Sequence, residues 1–221
     1  MKIKRFLYEL LLYNKLIPPC PKCPYKLGLV QTMIGPCPQC KASGYQFYKN
    51  LTKDYRSNWL LQSSEEGDPK AQYYVGLCIN NGYGTEPDAE VALEWFRAAA
   101  NQGHAKAQFY VGLYYHERSK NSEAVGWFRK AAEQGIAAAQ VELGMFYTRG
   151  SGVKRNFQKA FQWFLKAAEQ GNAEAQVHVG ICYENGVGAR EDLKEAAKWY
   201  RKAAEQGDEH ARACLDHISD L

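Results

Sequence analysis

The sequence predicts an all-α array of antiparallel helix pairs over residues 51–221, preceded by a small four-cysteine module. Shifting the chain by 36 residues aligns most of the part after Thr52 with itself, which is the signature of a repeat architecture. Every copy carries a tryptophan eight residues before a glycine. A third observation is a pair of C-x-x-C motifs near the amino terminus. The first two observations predict the array, and the third predicts the module.

Composition and charge agree with two regions of different character. The chain is 46% apolar and 24% charged, which is typical of a soluble globular protein. Residues 1–56 hold ten Lys and Arg against Glu9 and Asp54, a net charge of +8, and the remainder has a net charge of −4. We therefore expect a basic amino-terminal region and a mildly acidic repeat region.

Residues 1–17 are predicted to form a short amphipathic helix that ends at Pro18 and Pro19. Its apolar side chains follow helical spacing: Ile3, Phe6, Leu7, Leu10 and Leu11. A secretory signal is not expected, because Glu9 interrupts the apolar run and no small-x-small cleavage site follows. No stretch reaches the roughly 18–20 apolar residues of a membrane span. Packing on the protein is the favoured interpretation, and membrane contact is the alternative.

Residues 18–50 are predicted to form a module around a structural zinc ion. Four cysteines stand in two C-x-x-C pairs with thirteen residues between the pairs: Cys20, Cys23, Cys37 and Cys40. Four thiolates are a soft tetrahedral ligand set that favours zinc, and the absence of an open position is typical of a structural site. Reduced spectator thiols and a redox dithiol are the alternatives. The motif resembles the zinc ribbon or zinc knuckle.

Each repeat is predicted to contain two helices, A and B, which lie at about residues 69–81 and 88–102 in the first copy. Gly103 and its equivalents are expected to end helix B in the left-handed conformation. Asp68, Asn172 and Asp208 are expected to cap the next helix A. Gly76 and its equivalents allow close helix approach, while Trp95, Phe96 and their equivalents fill the space between layers.

The array is predicted to contain four full repeats between single helices. The repeats cover residues 68–103, 104–135, 136–171 and 172–207, and the single helices cover 52–66 and 208–220. The second repeat is four residues short, because a polar connection from His116 to Glu123 replaces a glycine loop. Asp216 and Asp220 make the last helix polar, as an end cap requires.

These residues resemble the Sel-1-like repeat, a relative of the tetratricopeptide repeat. Glycine loops distinguish it from the shorter tetratricopeptide unit: Gly82-x-Gly84, Gly150-Ser151-Gly152-Val153 and Gly186-Val187-Gly188. The resemblance implies a right-handed α-solenoid and an adaptor or scaffold that binds a partner peptide or helix on the concave face of the A helices. Aligned with the tetratricopeptide groove pattern, the predicted partner-binding residues are Tyr73, Leu77, Asn80, Asn81, Phe109, Leu113, His116, Met145, Arg149 and Ile181. Apolar residues at this spacing are also typical of core, which is the alternative.

Other functions are considered beside the scaffold. The basic module has lysines interleaved with aromatic residues, so nucleic-acid association is the second hypothesis: Lys22, Lys26, Lys41, Lys49, Lys53 and Arg56 with Tyr25, Tyr45, Phe47 and Tyr48. A hydrolase ranks third. The five histidines have no evident catalytic partners and no phosphate-binding glycine motif occurs, so we expect no enzyme.

The single cysteines of the repeats predict a cytoplasmic location. Some secreted proteins of the resembled family carry a disulfide in every repeat, whereas Cys78 and Cys182 occupy the same repeat position singly. We therefore expect buried thiols in a reducing compartment.

Overall fold

The computed structural model describes residues 64–82 and 87–219, with the side chain of Ser219 excluded. Within these ranges it contains nine complete α-helices and no strand. They are α1 (Pro69–Asn80), α2 (Ala89–Asn101), α3 (Ala105–Glu117), α4 (Asn121–Glu133), α5 (Ala137–Arg149), α6 (Phe157–Glu169), α7 (Ala173–Asn185), α8 (Leu193–Glu205) and α9 (Glu209–Ser219). The predicted helix over 1–17, the cysteine module over 18–50 and most of the helix over 52–66 lie outside the described residues.

The helices pack in chain order as a solenoid. Each helix from α2 to α8 contacts the helix before it and the helix after it. The odd-numbered helices are the predicted A helices and the even-numbered ones are the B helices. No helix buries its apolar face alone, so the stability of the array comes from stacking between neighbours. The all-α prediction is therefore confirmed for the described residues, and the right-handed sense stays a prediction.

Each A helix that is followed by a B helix packs closely against it, with a glycine of the A helix facing an aromatic ring of the B helix. A Cβ atom built on Gly76 would lie 2.7 Å from the Phe96 ring, and one built on Gly144 would lie 2.5 Å from the Phe164 ring. Gly112 with Phe128 and Gly180 with Tyr200 repeat the arrangement. The four rings are buried. The predicted close approach at Gly76 and its equivalents is confirmed, and it depends on the missing side chain.

A buried glutamine on each of the A helices α1, α3, α5 and α7 ties three successive helices together. Gln140 of α5 donates its Nε2 hydrogen to the Ala132 carbonyl at the end of α4, at 3.0 Å. Its Oε1 accepts a hydrogen bond from Gln170 at the end of α6, at 2.7 Å. The same pattern recurs at Gln72, Gln108 and Gln176. Each buried carboxamide is paired on both sides, which avoids the free-energy penalty of an unsatisfied polar group.

The helix ends confirm the predicted caps. The carboxylate of Asp68, the amide oxygen of Asn172 and the carboxylate of Asp208 each accept a backbone N–H from the first turn of α1, α7 and α9. Gly103 follows α2 with φ of 89°, a conformation that strains residues with a Cβ atom. Every other glycine that follows a B helix also has positive φ. These caps fix where each helix begins and ends.

The short connection of the second repeat is a three-residue turn between α3 and α4. Ser119 takes a positive φ of 58° in this turn, where no glycine is available. Arg118 pairs with Glu90 of α2 at 2.7 Å and lies over the Tyr114 ring at 3.6 Å. Tyr114 also donates a hydrogen bond to Glu90. The shortened repeat thus carries its own exposed polar link between α2 and α3.

Helix α9 differs from the other A helices at the position that receives a ring. Asp216 stands where α7 has Gly180, and its side chain is exposed. A carboxylate at this position favours water over a docked aromatic ring. This agrees with the expected polar end cap, although Asp220 lies beyond the described residues.

His104 makes one helix cap sensitive to pH. Its Nδ1 accepts the Ala107 N–H at 3.2 Å, which only a neutral imidazole can do. Burial, aided by Lys106 and Lys70, lowers the pKa of His104 below its usual value. The unfolded chain therefore binds this proton more readily than the folded chain. The stability from the cap is present above the unfolded pKa of about 6.5 and is lost as the pH falls towards the folded pKa.

We expect His104→Asn to weaken the acid sensitivity of the array, because asparagine accepts the same hydrogen bond at every pH. Between about pH 7.5 and pH 5 the variant should lose less free energy of unfolding than the wild type, by roughly 0.5–1 kcal/mol, the order of one cap. Urea unfolding of both chains at the two pH values measures this difference. Identical losses in both chains would contradict the role of His104.

Candidate binding site between α5 and α7

A cleft of about 380 Å³ opens between α5 and α7 beside the first two turns of α6. We call it the α5–α7 cleft. Its lining is mainly apolar: Met145, Thr148, Phe157, Ala160, Phe164, His178, Ile181, Cys182, Asn185 and Val187. The glycine loop after α7 contributes Val187, and α6 contributes Phe157, Ala160 and Phe164. An open apolar pocket with a few polar groups is the usual form of a binding site.

The polar side chains of the cleft are paired or stacked and carry no full charge near neutral pH. Thr148 donates to the Gly144 carbonyl at 2.9 Å, and Asn185 donates to the Ile181 carbonyl at 3.0 Å. His178 stacks on the Phe164 ring with centroids 4.6 Å apart. Burial lowers the pKa of His178, so its neutral form dominates near pH 7. None of the described residues that line the cleft adds a carboxylate, an amine or a guanidinium.

Cys182 forms an apolar part of the wall. Its thiol is buried, and burial raises the pKa to about 11. A thiol held in its neutral form is a weak nucleophile and a weak metal ligand. Cys78 and Cys214 are also free of disulfides, and burial raises the pKa of both thiols. The cleft therefore has the chemistry of a recognition surface.

The cleft exists because position 182 is small. The equivalent positions of the second and third repeats hold Tyr114 and Phe146, whereas that of the first repeat holds Cys78. Phe146 is buried, and its ring lies 5.7 Å from Phe128 and 5.0 Å from His116. Phe128 and His116 are the equivalents of Phe164 and Thr148 in the cleft. The third repeat thus fills with its own ring the space that the fourth repeat leaves open.

Of the ten predicted partner-binding residues, Met145 and Ile181 line the cleft. Asn80, Asn81 and Arg149 are exposed. Phe109, Leu113 and His116 are half-buried and lie outside the cleft lining.

Tyr73 and Leu77 are 7% and 2% exposed, and Tyr73 packs among Phe96, His104 and Tyr110. These two side chains are part of the core of the first repeat, so we exclude them from the candidate site.

Sequence reasoning missed the part of the lining that does not follow the groove alignment. His178 is not among the predicted partner-binding residues, yet it stacks on Phe164 in the wall. Cys182 was assigned only a buried position. At this one repeat position the four repeats hold cysteine, tyrosine, phenylalanine and cysteine, and the change from phenylalanine to cysteine between the third and fourth repeats is the signal that points to the cleft.

A separate polar cluster joins α7, α8 and α9. The Tyr200 hydroxyl donates to Glu184 at 2.6 Å, and burial and this hydrogen bond raise the pKa of Tyr200. His217 lies 3.8 Å from Glu184, and His210 lies 3.8 Å from the Cys214 sulfur. Within residues 64–82 and 87–219, no three His, Cys, Asp or Glu side chains converge on a point that could hold a metal ion. Cys20, Cys23, Cys37 and Cys40 lie outside the described residues.

None of the helices described here is long and apolar enough to cross a bilayer.

Solved structures similar to this chain have the same repeat. The Sel1 repeat protein from Oxalobacter formigenes is 38% identical with a TM-score of 0.70, and the match covers 77% of this chain and 72% of that protein. A protective antigen of uropathogenic Escherichia coli is 39% identical with a TM-score of 0.67. That match covers 70% of this chain but only 34% of the antigen, so the chain spans about a third of its length. No curated protein sequence matches the chain significantly.

The family assignment rests on the repeats themselves. The Sel1 repeat matches four consecutive segments, residues 69–104, 105–136, 137–172 and 173–208, which together make up more than half of the chain. The segments coincide with the four A and B helix pairs. The chain therefore belongs to the Sel1 repeat family.

Proposed function

We propose that the chain is a scaffold that binds a peptide or helix of a partner protein at the α5–α7 cleft. The observation that carries this proposal is the open apolar cleft between two A helices, at a place where the preceding repeat is closed. Sel1-repeat proteins generally serve as scaffolds for protein interactions and not as enzymes, which supports a binding role.

The size and lining of the cleft suit an anchor side chain. At about 380 Å³ the cleft lies near the lower end of the range for ligand pockets, roughly 300–1,000 Å³. Binding energy in protein interfaces concentrates in a few apolar or aromatic anchors that fill desolvated pockets. An amphipathic helix or an extended peptide presents such an anchor between polar residues. The exposed Arg149 and Asn185 beside the cleft supply polar groups for the flanks of such a segment.

We expect a charge in the cleft to weaken peptide binding by at least about tenfold. Ile181→Glu places a carboxylate where an apolar anchor has to be desolvated, and an unpaired buried charge opposes binding. Peptides selected from a displayed random library on the full chain provide the probes, and fluorescence anisotropy measures their Kd. Gln162→Glu, an equal charge change at an exposed site on α6 outside the cleft, is the matched control and should leave Kd within about twofold.

Equal affinities of the two variants and the wild type would place the binding surface elsewhere on the chain. Circular dichroism on both variants ensures that a loss of binding does not come from unfolding of the array.

Nucleic-acid association through the amino-terminal region is the second candidate, and the net charge of +8 over residues 1–56 supports it. The two candidates differ in their response to salt. Phosphate contacts release counterions, so nucleic-acid binding falls steeply with ionic strength. Binding in an uncharged apolar cleft changes little over the same range.

We further propose that the four amino-terminal cysteines hold a structural zinc ion and that the protein is cytoplasmic. A set of four thiols in two C-x-x-C turns suits tetrahedral zinc, which would supply folding free energy to a region too small for a sufficient core of its own. The free thiols of Cys78, Cys182 and Cys214 support a reducing compartment.

A further inference from the structure

The α5–α7 cleft has a counterpart one repeat earlier that is filled by the protein itself. The Phe146 ring is 3% exposed and packs against Phe128, a ring of the preceding B helix. Its other ring neighbour is His116, at the end of the preceding A helix. Moving this arrangement forward by one repeat places a ring at Cys182, against Phe164 and Thr148. The third repeat therefore shows which kind of side chain fits this position.

We propose that Cys182 is the specificity-determining residue of the binding surface, and that the cleft it opens takes one aromatic side chain from the partner segment. This inference rests on the proposed scaffold function and specifies its ligand. The partner ring occupies the space that the Phe146 ring occupies in the third repeat. A β-branched or short aliphatic anchor leaves part of this space empty, which forfeits dispersion contacts.

The chemistry of the wall matches an uncharged ring. Phe157, Phe164 and the stacked imidazole of His178 present aromatic faces or edges, which favour offset or edge-on ring contacts. Phe157 keeps 37% of its surface exposed. The thioether of Met145 adds a polarisable contact for an aromatic ring. The wall carries no full charge, so it complements phenylalanine or tyrosine and opposes a charged anchor.

The first test fills the cleft from within. Cys182→Phe restores the residue that the third repeat has at this position, and we expect it to weaken the selected peptides by at least about tenfold with no loss of thermal stability. Cys78→Phe is the matched control: it makes the same substitution at the equivalent position of the first repeat, outside the cleft lining, so affinity should stay within about threefold. Unaltered peptide affinity in a folded Cys182→Phe chain overturns the proposal.

The second test needs no variant and identifies the side chain directly. The full-length wild type, labelled at methionine and isoleucine methyl groups, is titrated at millimolar concentrations with N-acetyl-phenylalaninamide, N-acetyl-leucinamide and N-acetyl-alaninamide. We expect the Met145 and Ile181 methyl signals to shift at least about threefold more with the phenylalanine amide than with the other two. Equal shifts for the three amides, or none, overturn the proposal.

The two tests separate this inference from the function on which it rests. One outcome is that the selected peptides depend on Ile181 but lack an aromatic anchor, and another is that they still bind the Cys182→Phe chain. Either outcome is compatible with the scaffold function but refutes the proposal that the cleft takes an aromatic side chain. If no selected peptide depends on Ile181, the scaffold proposal fails, and the amide titration still decides whether the cleft selects a ring.

Discussion

Replacing Gly144 with alanine should destabilise the array by about 1–3 kcal/mol, although alanine is the better helix former. The added Cβ would lie 2.5, 2.7 and 2.9 Å from the Cε1, Cδ1 and Cζ atoms of the Phe164 ring. Phe164 is 3% exposed and stacks on His178, so a shift of the ring away from the added Cβ breaks this stacking. The alternative is a separation of α5 and α6, which weakens the packing within the third repeat. Urea unfolding followed by far-UV circular dichroism measures the change.

Gly126→Ala is the matched control for this substitution. Gly126 lies in the middle of α4, is exposed, and has nothing within 4 Å of the position of an added Cβ. Alanine there gains helix propensity without a clash, so the free energy of unfolding should rise by about 0.5–1 kcal/mol. The same chemical change is thus expected to have opposite signs at two helical glycines. A neutral or stabilising Gly144→Ala would show that the contact between α5 and α6 is not closely packed.

The architecture was predictable because it depends on residues that recur. The tryptophans, the glycines after each B helix and the Ala-Gln pairs mark every repeat. A deviation from the repeat sequence in one copy therefore does not hide the pattern. The caps at Asp68, Asn172 and Asp208 follow from local hydrogen bonding, which the sequence specifies directly.

What the recurring residues do was harder to predict than where they stand. The glutamine of each Ala-Gln pair was visible as a repeat marker, but its hydrogen bonds run to residues 8 and 26 or 30 positions away on two other helices. Ile136 occupies the cap position of α5 without a side chain that can accept a hydrogen bond. Such contacts depend on how helices meet, which spacing along one helix does not reveal.

The candidate site was only partly predictable because it arises from a difference between repeats. The groove alignment includes Met145 and Ile181, which line the cleft, but it treats Tyr73 and Leu77 as their equivalents. In the first repeat the neighbouring Tyr74 and Tyr110 rings crowd against Tyr73, and both predicted side chains are buried. An alignment assigns one role to each position, whereas burial depends on the residues around it. The fourth repeat has Cys182 at the position where the third repeat has the buried Phe146, and this smaller side chain leaves the α5–α7 cleft open.

Removing one amino-terminal thiolate should remove zinc from the chain. We expect the purified full-length protein to hold about one zinc ion, and Cys37→Ser to hold none, because three thiolates and a serine hydroxyl form a much weaker set for this metal. Metal ligation supplies on the order of 10 kcal/mol of folding free energy in small zinc modules. The substitution should therefore make residues 1–50 susceptible to protease, while the repeats keep most of their helical circular dichroism, because repeat residues between Phe109 and Ile218 form their own hydrophobic clusters.

Cys78→Ser is the control for this experiment, because it removes a thiol from α1 that belongs to no cysteine pair. Zinc content measured by elemental analysis should be unchanged in this variant, and a chelator should act on the wild type as Cys37→Ser does. The control separates a specific four-cysteine site from adventitious binding to any thiol. If serine at Cys20, Cys23, Cys37 and Cys40 together left both the metal content and the protease resistance unaltered, the zinc module would be refuted.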